Sequence, residues 1–321
     1  HGILGKFGIY RFGNMLGLVD HHVRGVPPEE TSGARDWNEY TWRGDQAPGH
    51  PFVHGLQTSD MDFNDMRFCK LVIQIGKNLI ENKMPESHWL TECMERGGKL
   101  VDIAPEYNGP ASKANYWISV RPGLSDLAVL LGVTRIMIDQ KWYKPEFCRQ
   151  FTDFPLLVRT DTLERLRPQD IDKAYRPKDI SKGPSYKVQG LTEQQRQKIG
   201  DFCVWDSNAK KVAFVSRDDV GKNMKVNAAL EGAYRIKLAD GHEVEVMPIL
   251  EMYKRHLKDY DEQTVKEISG AEPHLVRRLA DDIWKTTQAG HPVAIHIGEG
   301  INHYFHATLH NRATYLPLML T

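Results

Sequence analysis

Leu71-Val72-Ile73-Gln74-Ile75-Gly76 and Leu100-Val101-Asp102-Ile103-Ala104-Pro105 decide the fold. Each is a short, nearly continuous apolar run closed by a residue that breaks a strand. Such runs fit strands buried on both faces, as in parallel sheets. Between them Ser87 offers a helix cap, the pattern continues through Glu92 to Arg96, and Gly97-Gly98 ends it. Tyr116-Trp117-Ile118-Ser119-Val120 is a third strand, stopped by Pro122-Gly123, and residues 127–138 read as a strongly apolar helix. Strand, helix, strand, strand, helix in that order predicts an α/β fold, with mostly parallel sheets and flanking helices.

Working outward, residues 1–66 are rich in Gly, Pro, His and Asp with little periodicity, and read as loops with short elements. Residues 160–225 are polar and read as an insertion or surface excursion. Tyr234-Arg235-Ile236-Lys237-Leu238 and His242-Glu243-Val244-Glu245-Val246-Met247 alternate about Asp240-Gly241, which predicts a hairpin. Residues 249–257 and 274–287 have the spacing of amphipathic helices. Pro292-Val293-Ala294-Ile295-His296-Ile297 is a further strand, running into Gly298-Glu299-Gly300. The chain therefore divides into segments 1–68, 69–160, 161–246 and 247–321, with no internal repeat.

Composition removes several function classes. The 321 residues are 40% hydrophobic and 26% charged, with 26 Gly and 17 Pro, which is ordinary globular composition and excludes collagen, a disordered tail or a disulfide scaffold. Lys+Arg and Asp+Glu both total 42, and no basic stripe is interleaved with aromatics, so nothing asks for nucleic acid. No apolar run approaches the roughly 18 residues of a transmembrane helix. Cys69, Cys93, Cys148 and Cys203 stand 24, 55 and 55 residues apart. Zinc and iron–sulfur sites need at least one close pair, so these read as buried free thiols. The chain starts at His1 and stops inside the apolar Tyr315-Leu316-Pro317-Leu318-Met319-Leu320-Thr321, which we read as a piece of a longer protein.

In open parallel sheets ligands bind beyond the carboxyl ends of the strands. The turns there are Gly76-Lys77-Asn78, Asp102 through Glu106, residues 121–126 and Gly298-Glu299-Gly300. Gly76 lets backbone approach a phosphate, and Asn78 offers amide donors. Asp102 is placed to accept from a ribose hydroxyl, and Asp126 to accept from the N1 and N2 hydrogens of guanine. Each also has a plain reading, a strand-end turn or a helix N-terminal residue. No G-x-G-x-x-G follows the first strand, which argues against an ordinary NAD site. Asp45, in Trp42-Arg43-Gly44-Asp45-Gln46-Ala47-Pro48-Gly49-His50-Pro51, sits on a rigid loop and from its residues alone reads first as a turn. His303 and His306 share a face if helical. They fit a metal pair, an anion clamp or packed histidines, and no third ligand at zinc spacing follows.

Taken in order, these residues resemble the molybdopterin oxidoreductases of the dimethyl-sulfoxide-reductase superfamily, in the branch of nitrate reductases and nitrite oxidoreductases, and most of all the nitrite-oxidising members. The likeness rests on Arg11-Phe12 with Leu16-Gly17, Gly44-Asp45 with Pro48 and Pro51, and Gly55-Leu56-Gln57-Thr58. It continues through Ile75-Gly76-Lys77-Asn78, Asp102-Ile103-Ala104-Pro105, Pro122-Gly123 with Asp126, and the Val204-Trp205-Asp206 strand. Gly270-Ala271-Glu272-Pro273-His274, Gly298 through His303 and Asn311-Arg312 close the set. It covers nearly the whole chain and is weakest over 160–225. One departure stands out. The family writes Pro-Gly-Thr-Asp where this chain has Pro122-Gly123-Leu124-Ser125-Asp126, one residue longer.

The resemblance implies a molybdenum bis(molybdopterin guanine dinucleotide) cofactor, with Asp45 as the protein ligand to the metal. A hard carboxylate suits Mo(VI) oxo chemistry. It places Gly76, Asn78, Asp102, Glu106, Asp126, Gly298 and Gly300 on the loops that hold guanine dinucleotide, and Asn302, His303 and His306 near the metal and the substrate funnel. Segment 1–68 would then carry the metal-ligand loop, 69–160 the dinucleotide-binding unit, and 247–321 part of the cofactor cradle. It further implies oxidation of nitrite to nitrate, or reduction of nitrate, perchlorate or selenate. A [4Fe-4S] cluster is expected in an N-terminal domain, with an iron–sulfur beta subunit, a haem-bearing gamma subunit and a location on the periplasmic side of the membrane, the cytoplasmic face being the alternative. A non-catalytic nucleotide-binding module of the same fold is the remaining alternative.

Overall fold

In the computed structural model, which describes residues 3–27, 62–82, 84–123, 125–177, 200–216, 224–302 and 307–321, a four-stranded parallel sheet organises one of two units. That unit comprises His1–Leu130, Ile268–Leu275 and Gln288–Tyr315. Its strands are β1 (Leu71–Ile75), β2 (Lys99–Ala104), β3 (Tyr116–Ser119) and β9 (Val293–Ile297), in the order β3-β2-β1-β9. Every pairing is parallel, as the apolar runs predicted. All five residues of β1 are buried.

On one face, Val72, Leu100 and Ala294 pack with Leu79, Leu90 and Cys93. Leu79 opens the short α2 (Leu79–Asn82), and Leu90 and Cys93 lie on α3 (Met84–Glu95). Each such fully buried aliphatic side chain stabilises by about 1.5–3 kcal/mol. Helix α3 starts before the expected cap. Ser87 lies inside it and donates back to the Met84 carbonyl at 2.7 Å. The exit is as read: Gly97 adopts φ +79°, and Gly97 and Gly98 donate to the Met94 and Cys93 carbonyls at 2.9 and 2.8 Å. After β3, α4 (Ser125–Asp139) covers the predicted apolar helix.

Two expectations need correction. Residues 3–24, read as loops, form α1 (Ile3–Arg24), which leaves Phe12, Met15, Leu18 and Val23 exposed. The stretch 160–225 is not simply a surface excursion. It supplies β5 (Phe202–Asp206) and β6 (Lys211–Val215), an antiparallel pair whose Cys203, Val204 and Val215 are buried. Helix α10 (Ala307–Met319) was also unforeseen, because Pro317 lies inside it.

The second unit comprises Leu131–Glu267, Val276–Thr287 and Leu316–Thr321, so segments 69–160 and 247–321 contribute to both units. Its hairpin β7 (Tyr234–Lys237) and β8 (Glu243–Pro248) turns at Asp240-Gly241 as predicted, and β4 (Leu157–Arg159) pairs with β8. Leu157, Leu166, Cys203, Leu238 and Val246 form its core. All four cysteines are free and buried. No described helix is long and apolar enough to cross a membrane.

Candidate functional site

Connections from β1 run one way to β2 and β3, while β9 lies on the other side of β1. The strand order therefore reverses between β1 and β9, the place where open α/β sheets bind ligands. The loops leaving these two strands interlock. Gly298 and Gly300 donate to the Ile75 and Gly76 carbonyls at 2.9 and 3.0 Å. A Cβ on Gly300 would stand 2.8 Å from the Gly76 carbonyl oxygen, and one on Gly298 would overlap that oxygen. Gly76 itself has φ +58°, and a Cβ there would lie 2.6 Å from Ile301 Cγ2. The three glycines are thus first a device for packing two strand ends backbone to backbone.

Just below these loops, the register aligns His296, Gln74, Asp102 and Trp117 across β9, β1, β2 and β3. All four stand on the face that carries Val72 and Leu100 lower down, because strand side chains alternate. Gln74 and Asp102 have no solvent exposure, and His296 is buried with its ring 5.2 Å from that of Phe63. Gln74 Nε2 donates to the Lys77 carbonyl at 2.5 Å, while its Oε1 has no hydrogen-bond partner. Neither carboxylate oxygen of Asp102 has a well-aligned hydrogen-bond partner among the described residues, and the Asn108 side chain is the donor close by. Burial pushes the Asp102 carboxyl up to about 7, and the nearby Asn108 side chain offsets only part of the rise. Unpaired buried acceptors are costly, so their concentration at the carboxyl edge of a parallel sheet is a ligand-site signature.

The remaining strand-end residues are placed as follows. Asn78 Oδ1 accepts from the Glu81 backbone N–H at 3.4 Å, which leaves the amide NH2 as its donor. Glu106 is exposed on the loop after β2. Tyr107, also exposed, meets the Trp117 ring edge-on at 5.4 Å, and Trp117 Nε1 donates to the Ala104 carbonyl at 2.9 Å. Asp126 sits half-buried in the first turn of α4, and burial pushes its carboxyl up to about 6. Ser125 donates to the Arg121 carbonyl, tying off the longer turn before it. Asn302 ends the 3-10 turn Glu299–Asn302 that follows Gly298. Asp45, His303 and His306 lie outside the described residues. Among the described residues no group of three or more His, Cys, Asp or Glu could hold a metal ion.

The structure thus gathers Gly76, Asn78, Asp102, Gly298 and Gly300 at one sheet edge, with Glu106 and Asp126 on the neighbouring strand-end turns. The sequence reading missed Gln74 and His296. The signal was present: a polar residue inside a strand read as buried on both faces needs a partner. A surface cavity of about 350 Å³ lined by Arg135, Asp139, Glu262 and Arg277 belongs to the second unit and carries none of these groups.

No family model matches the chain. Curated relatives do. Perchlorate reductase subunit alpha of Dechloromonas aromatica (strain RCB) is 30% identical over 305 residues, covering 90% of this chain and 31% of its own length. Respiratory nitrate reductase subunit alpha of Haloferax mediterranei is 25% identical over 313 residues, covering 97% of this chain and 29% of its own. Chlorate reductase subunit alpha of Ideonella dechloratans is 26% identical over 242 residues, covering 74% and 23%. The chain therefore spans less than a third of the length of these relatives. Among solved structures, acetylene hydratase from Pelobacter acetylenicus is similar with a TM-score of 0.47 at 17% identity, covering 88% of this chain and 24% of its own, too low a likeness to add to the argument. Similarity to these alpha subunits extends over 74% to 97% of the chain, which places it among the homologues of molybdopterin oxidoreductase alpha subunits.

Proposed function

We propose that the chain is part of the catalytic subunit of a molybdenum oxidoreductase that oxidises nitrite to nitrate, with bis(molybdopterin guanine dinucleotide) as cofactor. The observation that carries a bound nucleotide is the set of unpaired buried oxygens on Gln74 and Asp102 at the switch point of the sheet. These residues fit such a group: they are acceptors awaiting donors, beside glycine loops that bring backbone close.

When bound, the cofactor supplies two-electron oxidation–reduction and oxygen-atom transfer. The chain's own residues hold and orient it. Asn78 donates from the β1 turn, Asp102 accepts ribose hydroxyls, and Asp126 accepts the guanine edge. Gly76, Gly298 and Gly300 keep the strand ends tight beneath it, and Glu106 flanks the β2 turn. Asp45 is proposed as the protein ligand to the metal. Asn302, His303 and His306 would hold the anion and relay protons, as imidazole titrates near neutrality. Nitrite and water give nitrate, two electrons and two protons. A [4Fe-4S] cluster elsewhere in the subunit, an iron–sulfur beta subunit and a haem-bearing gamma subunit would accept the electrons, on the periplasmic side of the membrane.

The relatives named for perchlorate, nitrate and chlorate reduction favour a second reading, the same site run as an oxyanion reductase. Fractionated source cells assayed for nitrite-dependent acceptor reduction, beside nitrate-dependent donor oxidation, decide between them. Fast nitrate reduction without nitrite oxidation selects the reductase. Activity confined to the cytoplasmic face refutes the location. Protein purified without molybdenum or guanine refutes the cofactor.

A further inference from the structure

Gln74 has a commitment that fixes its orientation. Its Nε2 donates to the Lys77 carbonyl in the loop beyond β1, so the amide head reaches the carboxyl edge of the sheet and Oε1 is the atom left over. The parallel register sets Gln74 beside Asp102, about 4.8 Å away along the hydrogen-bonding direction. Both are wholly buried. Below them on the same face stand Val72 and Leu100, members of an apolar cluster. The Asn108 side chain, on the loop after β2, is a donor beside Asp102, so the donor still wanting is the one for Gln74 Oε1.

Gln74 Oε1 has no partner there, and the carboxylate oxygens of Asp102 have only the Asn108 side chain close by. Asn108 offers Asp102 one donor, and Gln74 Oε1 has no protein donor in place. A phosphate is the wrong guest, because it brings only further acceptors and negative charge. The right guest presents two adjacent, uncharged donors. From this geometry we propose that Gln74 is a further cofactor-binding residue, which with Asp102 forms a paired acceptor for the vicinal hydroxyls of a ribose. This rests on the nucleotide cofactor proposed above. It assigns the diol to β1 and β2 jointly, and leaves the guanine edge to Asp126 on its separate turn.

Calorimetric titration of cofactor-free protein with GDP, IDP and 2′,3′-dideoxy-GDP tests this. A site that hydrogen-bonds a hydroxyl rejects the analogue lacking it strongly. Wild type should prefer GDP to the dideoxy nucleotide by at least about tenfold. Gln74→Met, of similar size and unbranched, should bring that ratio close to one while keeping the preference for GDP over IDP. Asp102→Asn, which removes the buried charge and so keeps the fold, should act in the same direction. An unchanged GDP to dideoxy-GDP ratio in Gln74→Met overturns the inference alone. Loss of the GDP to IDP preference instead assigns Gln74 to the base and also overturns it. Failure of wild type to bind any guanosine nucleotide removes the cofactor reading, and this inference with it.

Discussion

Asp102→Asn separates what the buried carboxyl does for the fold from what it does for a ligand. The side chain has no solvent exposure, and burial, offset only in part by the Asn108 side chain, raises its pKa from 3.8 to about 7. At about 1.4 kcal/mol per pKa unit, ionised Asp102 costs the folded state up to about 4 kcal/mol. The sign follows from proton uptake. Between about pH 4 and pH 7 the folded protein holds a proton that the unfolded chain has lost, so stability falls as pH rises. The penalty is absent below about pH 4 and complete above about pH 7. Asparagine is the same size and does not titrate. The variant should therefore be more stable than wild type, with about 2.5 kcal/mol of its advantage developing between about pH 5 and pH 8. Urea unfolding of cofactor-free protein at both pH values, followed by circular dichroism, measures it. A difference that is the same at both pH values refutes the reasoning, because Asp102 would then be solvated or already paired. The same substitution should weaken guanine nucleotide binding, so stability and binding move in opposite directions.

In the intact enzyme, Asp45→Ala should abolish turnover, since its carboxylate is the proposed metal ligand; activity within a few-fold of wild type would remove it from that role. Asp126→Ala should lower guanine and molybdenum content, because a buried donor edge left without its acceptor costs about 1–3 kcal/mol. Unchanged content in the purified protein would place the guanine elsewhere. Gly298→Ala drives a Cβ into the Gly76 carbonyl and should destabilise by about 1–3 kcal/mol, whereas Gly8→Ala in α1 meets nothing within 4 Å and should stabilise by about 0.5–1 kcal/mol. The reverse order in urea unfolding would contradict the interlocked strand ends.

Particular residues explain which parts of this architecture were legible. The parallel core was, because β1 and β2 are runs of the most strand-prone apolar residues bounded by Gly76 and Pro105. Helix α1 was not, because Gly5, Gly8, Gly13 and Gly17 each lower helix propensity by about 1 kcal/mol and hide its periodicity. In β5 and β6 the polar flanks masked Cys203, Val204 and Val215, whose burial depends on partners distant in sequence.

Site residues split along the same physical line. Glycine at Gly76, Gly298 and Gly300 was visible as a need for close approach. That the approach is between two strand ends depends on β1 and β9 being neighbours, more than 200 residues apart in sequence. Gln74 stands inside a run that its neighbours make look uniformly apolar. Yet a polar side chain inside a doubly buried strand must find a partner, leave a cost or meet a ligand. Here the cost is the observed state, with Oε1 bare beside a carboxyl driven up to about 7. Apolar residues would stabilise such a sheet edge more than these two groups do, and that cost is what supports the nucleotide site proposed there.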